Sequence, residues 1–204
     1  MSCSKSLSDN FFNSDIVNDE FFLDIAEQKL NLTRNDFKIR LVTFTSASGK
    51  CDNYVSDVYR VKIKVEILKS AEIKIADVIM KASFATINEM KQMSVFPREQ
   101  LMYENVIKSF EDLWKDKDEV SFAPKFFKRT EDPYETIVLD DLKTLDYKML
   151  DRKFGLNLQQ TKLVLSKLAK FHAASAVRYQ KDGMIDSCLD RSLTLKMFPS
   201  DSPI

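Results

Sequence analysis

The sequence predicts an α+β fold: five antiparallel strands with one inserted helix, followed by helices. Three observations carry that prediction. "VYRVKIKVEI", residues 58–67, alternates apolar and charged side chains with a period of two. Residues 96–114 carry apolar side chains at helical spacing, and beyond Leu142 the period-two patterns give way to a long helical stripe.

Each element follows in order. Between residues 16 and 30, Val17, Phe21, Phe22, Ile25 and Leu30 are spaced for one face of an N-terminal helix. "FKIRLVTFTSASG" then turns toward strand character, rich in Val, Thr and Phe up to Gly49. In the second strand Tyr59, Val61, Ile63, Val65 and Ile67 point one way, and Arg60, Lys62, Lys64 and Glu66 the other, so one face is buried and one solvated. A polar turn at Lys69-Ser70 leads into a third strand, "EIKIADVIMKA", completing a meander.

"FPREQLMYENVIKSFEDLW" is the inserted helix, with Leu101, Met102, Val106, Phe110 and Leu113 on its stripe and Pro97 in its first turn. "VSFAPKFFKRT" and "YETIVLDDL" read as two further strands, turning at Glu131-Asp132-Pro133. The strongest helix is "NLQQTKLVLSKLAKFHAASAVRYQKDG", which Asn157 and Gln160 open as a capping box and Gly183 closes. Leu158, Leu165, Leu168, Ala169, His172 and Ala176 share its broad face.

Bulk properties narrow the function classes. At 204 residues the chain can form one substantial core or two modest lobes sharing a cleft. Lys plus Arg and Asp plus Glu both number 31, so there is none of the basic excess of a nucleic-acid binder. "MSCSKSLSDNFF" lacks the apolar run of a signal peptide, and no run elsewhere is long enough to cross a bilayer, so no membrane partner is expected. Cys3, Cys51 and Cys188 are odd in number, far apart and without metal-ligand spacing. They read as reduced thiols of a cytoplasmic protein.

Within "ADVIMKASF" a lysine follows three apolar residues. Lysine is almost never fully buried unless paired. On a strand Ile79 and Lys81 share one face and Val78, Met80 and Ala82 the other, which sets Lys81 at the rim of a cleft beneath an apolar roof. The following helix offers Glu99 as its acid. A strand lysine fixed by a helix glutamate is how protein kinases hold the α- and β-phosphates of ATP. A lysine near a strand end also reaches water along its own stem. "SASGKCDNYVS" sits between the first two strands, where a phosphate-covering turn or an ordinary turn would lie. "TIVLDDL" is an apolar strand running into two aspartates, equally readable as a linker that meets a nucleotide base or as a strand ending in a solvated acidic turn.

Taken in order, "GKCDNYVSDVYRVKI", "VIMK", "SVFPREQLMYENVI", "TIVLDDL" and "LVLSKLAKFHAASA" resemble the ecdysteroid-kinase-like (CHK-kinase-like) family, within the group of aminoglycoside phosphotransferases and choline kinases. The resemblance implies a protein-kinase-like fold: a helical segment over 1–35, an N-lobe and hinge over 36–142, and the first helices of an incomplete helical C-lobe over 143–204. It implies ATP as cofactor and phosphorylation of a hydroxyl on a small molecule such as an ecdysteroid or another lipophilic alcohol. Carried onto this chain, Lys81 contacts the α- and β-phosphates and Glu99 orients it. The turn containing Gly49, Asn53 and Ser56 covers the phosphates, and the backbone of Leu139, Asp140 and Leu142 holds the base.

One departure is large. The family's catalytic loop has the form H-G-D-x-W-x-x-N and is followed by a metal-binding Asp-Phe-Gln-like motif, together supplying the acceptor for the hydroxyl proton and the Mg²⁺ ligands. The one histidine here, His172, precedes Ala-Ala-Ser. Asp36-Phe37 lies ahead of the sheet and does not serve the metal. His172 falls in "LAKFHA", where a packed structural histidine is expected rather than a base. The chain is thus expected to be a short product or an incomplete gene model, truncated before catalysis and at most nucleotide-binding alone, with Mg²⁺ bound only in a complete relative. A non-catalytic alternative is an interaction or lipophilic-ligand-binding protein derived from that family. Its partner would sit on the apolar helix surface that the missing part of the lobe leaves uncovered.

Overall fold

The computed structural model describes residues 19–47, 56–83, 95–117, 119–130, 135–151 and 153–183. Helix α1 (Asp19–Leu30) and a short 3-10 turn (Arg34–Asp36) lead into β1 (Phe37–Ser46), β2 (Ser56–Ile67) and β3 (Ile73–Ser83). Next come α2 (Val95–Leu101), a π turn (Met102–Val106) and α3 (Ile107–Asp112). Strands β4 (Phe126–Thr130) and β5 (Thr136–Asp140), a 3-10 turn (Leu142–Leu145) and the long α4 (Leu158–Asp182) complete the order. All five strands form one antiparallel sheet in the order β1-β2-β3-β5-β4. The chain forms two compact units: α1 and the sheet make one, and α2, α3 and α4 the other.

In the sheet unit the alternation of β2 and β3 sets which side is buried. Tyr59, Val61, Ile63 and Val65 of β2, with Ala76, Val78, Met80 and Ala82 of β3, point toward α1, which contributes Phe21, Phe22, Ile25 and Ala26 to the same core. Edge-to-face contacts join Phe21 to Phe22 (5.1 Å) and Phe22 to Phe44 (5.8 Å). Strict alternation would put Leu41 with Phe37 and Ile39. A bulge at Arg40 resets the register, so Val42 and Phe44 join the core and Leu41 is exposed. The charged side of α1 is also tied down. Glu20 and Asp24 meet Arg34 at 2.6 and 3.2 Å, Asp24 pairs with Lys128, and Lys29 pairs with Asp140.

In the helical unit the core is Val106, Phe110 and Ala174, with Met102, Leu113, Trp114, Phe122 and Phe171 against it. The Phe171 ring meets Phe110 at 5.1 Å and Phe122 at 5.4 Å, both edge-on. The predicted inserted helix is a continuous run with one irregularity. The Ile107 N–H donates to the Met102 carbonyl five residues back, so the turn holds one residue more than an α turn.

Three expectations need correction. The strand predicted from Val120 begins only at Phe126. The Phe122 N–H donates to the Glu111 carboxylate at 2.7 Å and the Ser121 carbonyl accepts from Lys167 at 2.6 Å, so these backbone groups serve the helical unit and not a ladder. Among the described residues of 146–157 none is helical; α4 begins after Asn157. The broad face predicted for α4 is also not its packed face. Leu158 and Leu165 are 68 % and 57 % exposed, Leu168, Ala169, His172 and Ala176 are exposed as well, and Phe171 and Ala174 pack instead. Aromatic partners at Phe110 and Phe122 select Phe171 over the more numerous leucines. His172 is therefore a surface residue, not the packed structural histidine expected.

Candidate functional site: the second face of the sheet

The face of the sheet opposite α1 carries the predicted lysine. Register places Val58 of β2 and Ile137 of β5 directly across from Lys81, one on each side. One step along, Arg60 and Leu139 flank Ile79 in the same way. Directly paired antiparallel residues share a face. Lys81 therefore stands in an apolar surround of Val58, Ile79, Ile137 and Leu139, half-buried, with Ile137 and Leu139 buried. Beyond Ile79 on this face the character changes to charge, with Lys62 opposite Asp77 and their side chains 3.8 Å apart.

This geometry joins an apolar patch to the Lys81 amine, with Arg60 one step further along the same face. Lysine suits that position as a point charge on a flexible stem. The arrangement comes from sequence in a simple way: β3 is mostly apolar on both faces at its C-terminal end, where Lys81 is the one charged side chain and Ser83, two positions on, pairs with Ser56 on the same face.

The other predicted residues fall as follows. Ser56 opens β2, is buried and pairs across to Ser83. Leu139 lies on the Lys81 face; Asp140 ends β5 on the other face, pairs with Lys29, and its N–H donates to the Lys125 carbonyl at 2.8 Å. Leu142 starts the 3-10 turn and is half-buried. Gly49 and Asn53 lie outside the described residues, as does the turn at Glu131-Asp132-Pro133. Glu99 sits in α2 of the helical unit, half-buried. One turn on, burial and then the Glu99 charge push the Tyr103 hydroxyl pKa upward.

Sequence reading missed Asp141. Its side chain is 3 % exposed and 2.5 Å from Arg60 Nε, its Oδ1 accepts the Lys143 N–H at 3.1 Å, and its carbonyl accepts from the Thr144 N–H and hydroxyl at 3.0 and 2.7 Å. The signal for it was the doubled aspartate, since alternation sends two consecutive side chains to opposite faces. Among the described residues no group of three or more His, Cys, Asp or Glu side chains is placed to hold a metal ion. Among the same residues no helix is long and apolar enough to cross a membrane.

A five-stranded antiparallel sheet with an interposed helix, carrying a lysine on its third strand, is the architecture of a protein-kinase-like N-lobe. The chain belongs to the ecdysteroid kinase-like family, whose model matches residues 50–202. No curated protein and no solved structure matches it.

Proposed function

We propose that this chain binds ATP on the second face of its sheet, as the nucleotide-binding part of a kinase-like protein that phosphorylates a hydroxyl of a small lipophilic alcohol. The observation that carries the reading is the position of Lys81, a cation in an apolar surround bounded by Val58, Ile79, Ile137 and Leu139. That surround fits a purine ring, and the amine fits the phosphates of the same ligand. Lys81 takes the α- and β-phosphates, Glu99 orients Lys81, and the segment with Gly49 and Asn53, which leads into β2 at Ser56, covers the phosphates. The backbone of Leu139, Asp140 and Leu142 holds the base. Family membership over residues 50–202 supports the nucleotide reading as a whole, and the ecdysteroid of the family's description supports a steroid-like acceptor.

These 204 residues contain no His-Gly-Asp sequence, so we assign them binding and no proton transfer. Magnesium, when present with the nucleotide, neutralises phosphate charge; no residue described here is assigned to it. The test is calorimetric titration of the chain with ATP. Micromolar to millimolar saturable binding that is lost in Lys81→Ala, with the far-ultraviolet circular dichroism unchanged, supports the reading. Binding that survives the substitution removes Lys81 from the phosphate role.

A second reading has its own observation. Leu158, Leu165 and Leu168 of α4 form an exposed stripe along one side of the helix, with Val164 at its margin, and an apolar stripe of that length suits a protein partner or a lipophilic ligand. Analytical ultracentrifugation with and without the substitutions Leu165→Gln and Leu168→Gln separates the readings. Self-association lost in the double variant assigns the stripe to contact.

A further inference from the structure

Two consecutive acids, Asp140 and Asp141, end the strand that the nucleotide reading assigns to the base, and each is answered by a different cation. Asp140 lies on the α1 face and pairs with Lys29, 111 positions earlier. Asp141 continues the Lys81 face and pairs with Arg60, 81 positions earlier. All four side chains are partly or largely withdrawn from water, with exposures of 17 % and 12 % in the first pair and 27 % and 3 % in the second.

Such pairs are poor devices for stability alone. Removing two charges from water offsets most of their attraction, and apolar residues of similar volume serve as well. What a partly buried ion pair can supply instead is fixed geometry, because it tolerates few alternative arrangements. Here they pin one peptide unit from both sides of the sheet. Asp141 extends the constraint forward, since it also caps the turn through Lys143 and Thr144. The segment from Asp140 to Thr144 is thereby held to α1, to β2 and to itself.

We infer that Lys29–Asp140 and Arg60–Asp141 form a two-sided clamp that positions the hinge backbone, and that this clamp sets the preference for adenine over guanine. The inference rests on the nucleotide reading of the preceding subsection. It makes Lys29, Arg60 and Asp141 positioning residues: they act through the backbone and do not touch the phosphates. α1, which precedes the matched family segment, thereby acquires a part in base selection.

The experiment is a set of titrations of the 204-residue chain with ATP, GTP and inorganic tripolyphosphate. The unaltered chain, Lys29→Met, Asp141→Asn, Arg60→Leu and Arg60→Lys are compared, each checked by circular dichroism. Lys29→Met, Asp141→Asn and Arg60→Leu should each reduce the ATP-to-GTP affinity ratio about tenfold and leave tripolyphosphate within about twofold, because a displaced backbone spoils base contacts and not the lysine's charge. Arg60→Lys should recover part of the ratio. An unchanged ratio in folded Lys29→Met and Asp141→Asn overturns the inference alone, as does a parallel loss of ATP and tripolyphosphate affinity. Absence of ATP binding by the unaltered chain overturns the nucleotide reading, and the clamp with it.

Discussion

Asn157 and Gln160 satisfy each other at the start of α4: the Asn157 side chain accepts the Gln160 N–H at 2.9 Å, and the Gln160 side chain accepts the Asn157 N–H at 2.9 Å. Two donors that an α-helix leaves without partners are filled reciprocally. Asn157→Ala is expected to destabilise the helical unit by about 1 kcal/mol. Urea unfolding checks this, and Asn157→Ser should recover most of the loss.

The phosphate role of Lys81 separates from the base role of the hinge. Lys81→Ala should weaken inorganic tripolyphosphate binding at least about tenfold, the size of a lost hydrogen bond between charged groups. Adenosine, which carries no phosphate, should bind the variant as it binds the parent. Equilibrium dialysis with both ligands makes the comparison. Equal losses for the two would mean that the substitution disturbs the sheet instead.

The two sides of the helical unit should respond very differently to substitution. Phe110 is almost wholly buried and meets Phe171 edge-on; Phe110→Ala is expected to cost about 3–5 kcal/mol. Leu165, on the uncovered side of α4, should tolerate Gln within about 0.5 kcal/mol. Thermal unfolding of the two variants side by side reads the contrast, and a large loss from Leu165→Gln would show that the stripe is covered in solution.

Tyr59 predicts an alkaline limit to stability. Burial, and secondarily the Asp57 carboxylate that accepts its hydroxyl proton at 3.2 Å, raises its pKa well above the ordinary tyrosine value of 10.0. The folded chain thus keeps a proton that the unfolded chain releases. Its contribution is fully present below the unfolded value, and is lost as pH rises toward the folded value. Urea midpoints should fall between about pH 9 and about pH 11, and Tyr59→Phe should fall less over the same interval. Parallel slopes for parent and variant would remove Tyr59 as the source.

Legibility in the sequence followed the strength of local pattern. The alternation of β2 and β3 determined both the core face and the place of Lys81, because a strand with charge on one side has one acceptable register. The start and stop of α4 were equally readable, since the residues at Asn157, Gln160 and Gly183 act within one turn of themselves. Its buried face was not. α4 offers apolar residues around most of its circumference, and the choice of Phe171 and Ala174 depends on Phe110 and Phe122, which are distant in sequence. The bulge at Arg40 and the partners of Asp140 and Asp141 were hidden for the same reason: each is decided by a contact from another element. Of the candidate site, the lysine and its apolar neighbour Ile79 were legible, while Val58, Ile137 and Arg60 needed the register.

The π turn at Met102–Val106 has an arithmetic consequence. One surplus residue advances the helix by about 100° relative to a regular ladder, so the segment bearing Glu99 and the segment bearing Phe110 are set at independent phases. Deleting a single residue between 102 and 106 would restore a regular ladder and swing Glu99 about a quarter turn around the axis while Phe110 stayed in its socket.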